Sequence, residues 1–129
     1  MATAPLQFDA SVTEEKILAA VQRIVAVANP IRIIAFGSRA RGDFRPNSDL
    51  DLAVIVDHLA PGAKPPVTRG TLDQVVMSVD LLVFGRERHE RMRRCMGSVN
   101  EEIDRDGLVL YNRENGQRTD RRAIARLVG

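Results

Sequence analysis

GSRARGDFRPNSDLDLAV, running from Gly37 to Val54, holds two signals side by side. The first is a glycine-serine break, and the second is the alternation of aspartate with apolar residues that follows it. Upstream of the break, Ile31 to Phe36 is a short β-branched run that reads as a buried strand ended by Gly37-Ser38. Downstream, Leu50, Leu52, Val54 and Val56 fall on one face of a second strand, with Asp49, Asp51, Ala53 and Ile55 on the other. The spacing from Gly37 to Gly42 matches the G-x-x-x-x-G of a P-loop, but Asp43 and Phe44 occupy the places of its lysine and hydroxyl residue. That reading fails. A strand running through a Gly-Ser turn into a short helix remains, and it aims backbone N–H groups and the Ser38 hydroxyl at an anion such as a triphosphate. An isolated Gly-Ser is more often an ordinary tight turn.

Asp49 and Asp51 stand two apart on the strand, so their side chains leave one face with backbones roughly 6 to 7 Å apart. Two carboxylates about 6 Å apart repel by roughly 2 to 3 kcal/mol at an effective dielectric near 20. A third carboxylate is expected from Val79-Asp80-Leu81-Leu82-Val83-Phe84, a third strand ended by Gly85, where Asp80 interrupts apolar sequence. Divalent cations reverse the sign of that cost, because a pair of Mg²⁺ ions takes oxygen ligands and bridges carboxylates to phosphate. Alone, the Asp-x-Asp pair suits an exposed strand end paired with arginine equally well. Joined to the Gly-Ser turn and Asp80, it points to a metal site.

Gly37-Ser38, then Gly42, then Ser48-Asp49-Leu50-Asp51-Leu52 resembles the signature of the DNA-polymerase-β-like nucleotidyltransferases. The GSRARG form and the small size resemble the minimal nucleotidyltransferase branch. The likeness covers Ile31 to Phe84 and, less specifically, the Glu102 to Tyr111 segment. It implies a small α/β (α+β) nucleotidyltransferase fold, a short mixed sheet flanked by helices. By the same likeness Asp49, Asp51 and Asp80 are the catalytic and metal-holding triad of a two-metal Mg²⁺ site, with Asp80 helping to deprotonate an acceptor hydroxyl. Gly37, Ser38, Arg39, Arg41, Gly42 and Ser48 form the nucleotide site for ATP as donor. Arg39 departs from the pattern, which more often has Phe there. Minimal nucleotidyltransferases are commonly paired with a helical HEPN-type toxin, which they neutralise as antitoxins, some by transferring AMP onto it. The alternatives are a non-catalytic binding module acting by occlusion and a small-molecule, aminoglycoside-type enzyme, which ordinarily needs a further substrate-binding domain.

With 129 residues, the chain suits a single domain with one modest core. Hydrophobic residues make up 44% and charged residues 28%, a soluble globular composition rather than a disordered one. No stretch is long enough to span a bilayer, and Asp9, Glu14 and Glu15 interrupt any leader-like run. The single Cys95 excludes an internal disulfide, no Cys or His cluster offers a zinc site, and a reducing cytoplasm is the expected setting. A net charge of +2, one tyrosine and no tryptophan leave a thin footprint for nucleic acid as the main ligand.

Outside the central stretch, Ser11 and Glu14 have capping-box spacing ahead of a helix carrying Ile17, Val21, Ile24 and Ala28 up to Pro30. Residues 57–70, rich in Pro and Gly, read as a surface loop suited to a lid or insertion. A helical piece is expected near Thr71 to Val76. Arg86 to Asp106 reads as a helix that can break at Gly97-Ser98, with Cys95 on its apolar side and Leu108 to Tyr111 as an edge strand beyond. Its arginines read as a solvated face with Glu87–Arg91 and Glu90–Arg94 pairs, and His58 and His89 as surface residues. Arg39, Arg41 and Arg45 stand near enough to the turn to neutralise phosphate charge. Residues 112–129 are expected to be a partly ordered tail whose Ala123, Ile124 and Leu127 suffice for a short helix but not for a core.

Overall fold

A computed structural model describes residues 9–116 and 118–129. Helix α1 (Glu14–Ala28) starts where the Thr13 hydroxyl accepts from the Lys16 N–H, and it ends at Asn29, whose left-handed backbone returns an N–H to Val25. Thr13 rather than Ser11 is the cap, because only Thr13 immediately precedes the first helical turn. Strand β1 (Arg32–Phe36), the four-residue helix α2 (Ser38–Arg41) and strand β2 (Leu50–Val56) follow. Strand β3 (Val79–Gly85), helices α3 (Arg86–Met92) and α4 (Val99–Asp106), strands β4 (Leu108–Asn112) and β5 (Arg118–Thr119), and helix α5 (Arg121–Arg126) complete the chain.

The strands form one mixed sheet in the order β3-β2-β1-β4-β5. Only β2 and β3 are parallel, with Leu50 opposite Val79 and Asp51 opposite Asp80. Every other pairing is antiparallel, and Phe36 of β1 lies opposite Asp51. This is the expected α/β architecture of a mixed sheet flanked by helices.

The alternation read along β2 sorts the core into two layers. Leu50, Leu52, Val54 and Val56 pack with Ile33, Ala35 and Val79 against Ile17, Ala20, Val21 and Ile24 of α1. On the opposite face Ala53 and Ile55 join Ile31, Ile34, Phe36 and Ile103 of α4, with Phe84 packed alongside. The connection from β2 to β3 carries no helix or strand over residues 57–68, then a 3-10 turn at Arg69–Leu72 in place of the helix expected further along. Val67, Leu72 and Met77 bury this crossover in the first layer, which a parallel connection requires.

The Arg86 to Asp106 stretch breaks where Gly97-Ser98 allows it, into two helices separated by turns over residues 93–98, since Gly97 adopts φ +86 and the Ser98 hydroxyl caps α4. Three sequence readings are corrected by the structure. Cys95 falls in that break, where helical spacing no longer applies, and is exposed rather than core. His89 is 2% exposed, not a surface residue, with Nδ1 3.0 Å from the Asn100 side-chain amide and its ring near Phe84. Burial holds its imidazole below the ordinary histidine range. Finally, Ala123, Ile124 and Leu127 do enter a core, because α5 packs beside α1 and β4.

Leu127 is fully buried, so Leu127→Ala should destabilise the fold by about 2–5 kcal/mol, the usual cost of truncating a core leucine. Urea unfolding of the full chain reads this directly, and an unchanged midpoint would place α5 outside the cooperative unit.

Candidate active site

Two neighbouring strands deliver three carboxylates to one corner of the sheet. Asp49 precedes β2, Asp51 is its second residue, and Asp80 lies beside Asp51 in the parallel register of β3. Side chains of like parity leave the same face of a strand, so Asp49 and Asp51 share a face, and the register adds Asp80 to it. The Ser78 hydroxyl donates to the Asp49 carboxylate, and the Ser78 carbonyl accepts the Leu50 N–H at 2.9 Å, which ties the starts of the two strands together. Asp51 is only partly exposed. Burial, then the negative charges of Asp80, Asp49 and Glu102, push its carboxyl up to about 6, with Arg41 opposing.

Glu102, on α4, is the acidic neighbour that sequence reading missed. It lies far along the chain from the Asp-x-Asp pair, and no periodicity reveals which face of α4 meets the sheet.

Gly37 adopts φ +76, and a Cβ there would overlap the Asp51 carboxylate. The glycine is therefore needed twice, for its backbone angle and for its missing side chain. Ser38 opens α2, with its carbonyl accepting from the Gly42 and Asp43 N–H groups at 2.9 and 3.2 Å. Gly42, at φ +89, closes the helix. Arg41 is exposed and reaches Asp43 at 3.3 Å.

The other two residues assigned to the nucleotide point elsewhere. Arg39 is 3% exposed: its Nε donates to the Ser48 carbonyl at 2.9 Å, Nη1 to Leu127 at 2.8 Å and Nη2 to Pro46 at 3.2 Å. Its guanidinium also lies 4.6 Å from the centre of the Phe44 ring. All three of its nitrogens are engaged by protein carbonyls, which makes Arg39 a brace for residues 44–48. The Ser48 hydroxyl accepts the Arg45 N–H at 2.8 Å and closes a turn. Arg45 itself is exposed.

Among the described residues, no three Asp, Glu, His or Cys side chains are gathered closely enough to hold one ion as they stand. The donor chemistry nevertheless fits a hard divalent cation: the group holds only carboxylates, and their mutual repulsion is the kind of cost that a cation relieves. A pocket beside Asp49 is bounded by Ala10–Val12, Pro46–Ser48 and Ser78. A larger one, between residues 57–63 and the start of α3, lies at the opposite end of the β2–β3 pair, away from the aspartates.

The family model of the nucleotidyltransferase domain matches residues 14–126, which include every element just described. The chain belongs to the nucleotidyltransferase domain family. Membership supports nucleotidyl transfer as its activity and implies a nucleoside triphosphate substrate, which such domains generally use with a divalent metal. Among solved structures, a protein of Sulfolobus solfataricus described as a nucleotidyltransferase superposes with a TM-score of 0.55 at 18% identity. The match covers 78% of this chain and 81% of that one, and it supports the shared fold. No curated protein matches. No helix among the described residues is long and apolar enough to cross a membrane.

Asp51 supplies a test of the electrostatics. Its folded-state value near 6 exceeds the ordinary 3.8, so the metal-free fold binds the extra proton and loses stability as pH rises from about 4 through 6. Two units amount to roughly 3 kcal/mol at full effect, which solvent screening reduces to about 1–2 kcal/mol. Asp51→Asn should therefore stabilise the metal-free protein by about 1–2 kcal/mol at pH 7.5 and by almost nothing at pH 4. Melting with a chelator present, at both pH values, checks this. Equal stability of the two proteins at pH 7.5 would show that neither burial nor the neighbouring carboxylates penalise a charged Asp51.

Proposed function

We propose that this nucleotidyltransferase transfers AMP from ATP to a hydroxyl on an acceptor protein, with Mg²⁺ held by Asp49, Asp51 and Asp80. The observation that carries the reading is the in-register pairing of Asp51 with Asp80, with Gly37 packed against the Asp51 carboxylate. In support, the parallel register sets Asp80 beside Asp51, and Asp49 stands two residues before Asp51, so the three side chains start from one face of the sheet. Bound Mg²⁺ offsets the carboxylate repulsion and the negative charge of the triphosphate.

The protein's own groups have separable tasks in this reading. The backbone N–H groups at the start of α2 and the Ser38 hydroxyl receive the triphosphate, and exposed Arg41 lends positive charge beside it. Asp80, on the outermost strand, accepts the proton of the acceptor hydroxyl. The acceptor oxygen then bonds to the α-phosphorus, the bond to the bridging oxygen breaks, and pyrophosphate leaves. Arg39 and Ser48 act through the turn they brace and make no contact with the nucleotide.

The GSRARG form supports a narrower setting as well, in which the acceptor is a HEPN-type toxin that this chain neutralises as its antitoxin in the cytoplasm. Co-expression with such a partner, followed by incubation with Mg²⁺ and ATP labelled at the α-phosphate, should label the partner. Asp49→Asn or Asp51→Asn should cut labelling on the order of 10²–10⁴-fold, and a chelator should abolish it. Full neutralisation of the partner in cells by either variant would favour occlusion instead.

A further inference from the structure

The two edges of the sheet are unlike. At one end β5 is two residues long and carries Arg118, a short, charged edge that resists pairing with another strand. At the other end β3 offers seven residues, Val79–Gly85, with Asp80 as its one charge. Among the described residues, the backbone of Asp80 to Phe84 bonds to β2 and to no other segment, so one row of donors and acceptors is open. Leu81, Val83 and Phe84 are partly exposed, and Leu82, at the midpoint of the strand, is 38% exposed. A long, apolar, unpaired edge invites another strand.

We propose that this edge pairs antiparallel with β3 of a second copy of the chain, about a two-fold axis through Leu82. The sequence of β3 is compatible with itself in that register. Val79 stands opposite Gly85, Asp80 opposite Phe84, Leu81 opposite Val83 and Leu82 opposite Leu82, so no like charges face each other and the centre is apolar.

Charge outside the strand favours the same orientation. Asp49, Asp51 and Asp80 make the beginning of the strand pair acidic, whereas α3, which follows directly from its end, presents Arg88 and Arg91; its Arg86 is paired with Glu114, its Glu90 with Arg93, and its remaining acid is Glu87. Phe84 shares the aspartate face and meets His89, which places α3 on that face. A two-fold perpendicular to the sheet keeps the faces aligned and carries α3 of the second copy toward the aspartates. Arg88 is exposed, and Arg91 meets Glu87 only at 4.0 Å, which leaves both with positive charge to present. A parallel arrangement would put acid beside acid. The inference stands on the edge and its charges alone and does not depend on AMP transfer.

Sedimentation velocity of the full chain should show a concentration-dependent dimer. Leu82→Lys, which sets two ammonium groups face to face on the axis, should weaken it by about tenfold or more. Circular dichroism confirms that this variant keeps its fold. In a second measurement, Leu82→Cys in a Cys95→Ser background should form an intermolecular disulfide under mild oxidation, because directly opposed residues lie about 4.5–5.5 Å apart at Cα. Val109→Cys in the same background, exposed on β4, should not. A chain that sediments as a monomer throughout overturns the proposal. A dimer that Leu82→Cys cannot cross-link overturns it equally.

Discussion

Parallel pairing of β2 with β3 underlies the rest of the molecule, because it is the contact that brings Asp80 to Asp51 across nearly thirty residues of chain. The pairing tolerates no slip. Displacing β3 by one residue would turn Asp80 into the layer occupied by Leu52 and Val54 and expel Leu81 from it, reversing every side chain of the strand. Apolar packing beneath the sheet therefore fixes the position of the carboxylates above it, and a buried Val79 or Leu50 contributes to the site without touching it. The crossover serves the same end: Val67, Leu72 and Met77 anchor an otherwise irregular segment and hold its two strands level.

Most of this frame is legible in the residues. Period-two alternation in Leu50–Val56 sorts apolar from acidic faces, and the layers separate as that alternation requires. Gly37 is legible as a break, but its close approach to Asp51 depends on β1 and β2 lying antiparallel, which no local pattern encodes. The misread residues share a cause. Composition and helical spacing do not carry the burial of His89, Cys95 and the α5 residues, which depends on where a helix stops or on which element lies across from it. Glu102 belongs to the same group, since its proximity to Asp51 arises only when α4 settles on the sheet.

Arg39 shows how far a local reading of charge can mislead. Three arginines near a phosphate-binding turn look interchangeable in sequence, but one of them is sequestered. A buried guanidinium is tolerated only with its donors satisfied, and here three carbonyls and an aromatic ring accomplish that. The result is a rigid support immediately ahead of Asp49, built from the one arginine that solvent scarcely reaches.

One of those carbonyls belongs to Leu127, near the far end of the sequence. During synthesis, Gly37 through Val54 leave the ribosome while Leu127 has yet to be made. Throughout that interval Arg39 has only its neighbours in sequence, the Ser48 and Pro46 carbonyls and the Phe44 ring, to hold it. The third bond, from Nη1, therefore closes only when the end of the chain has come back against α2, and it ties the first-made part of the site to the last-made residues.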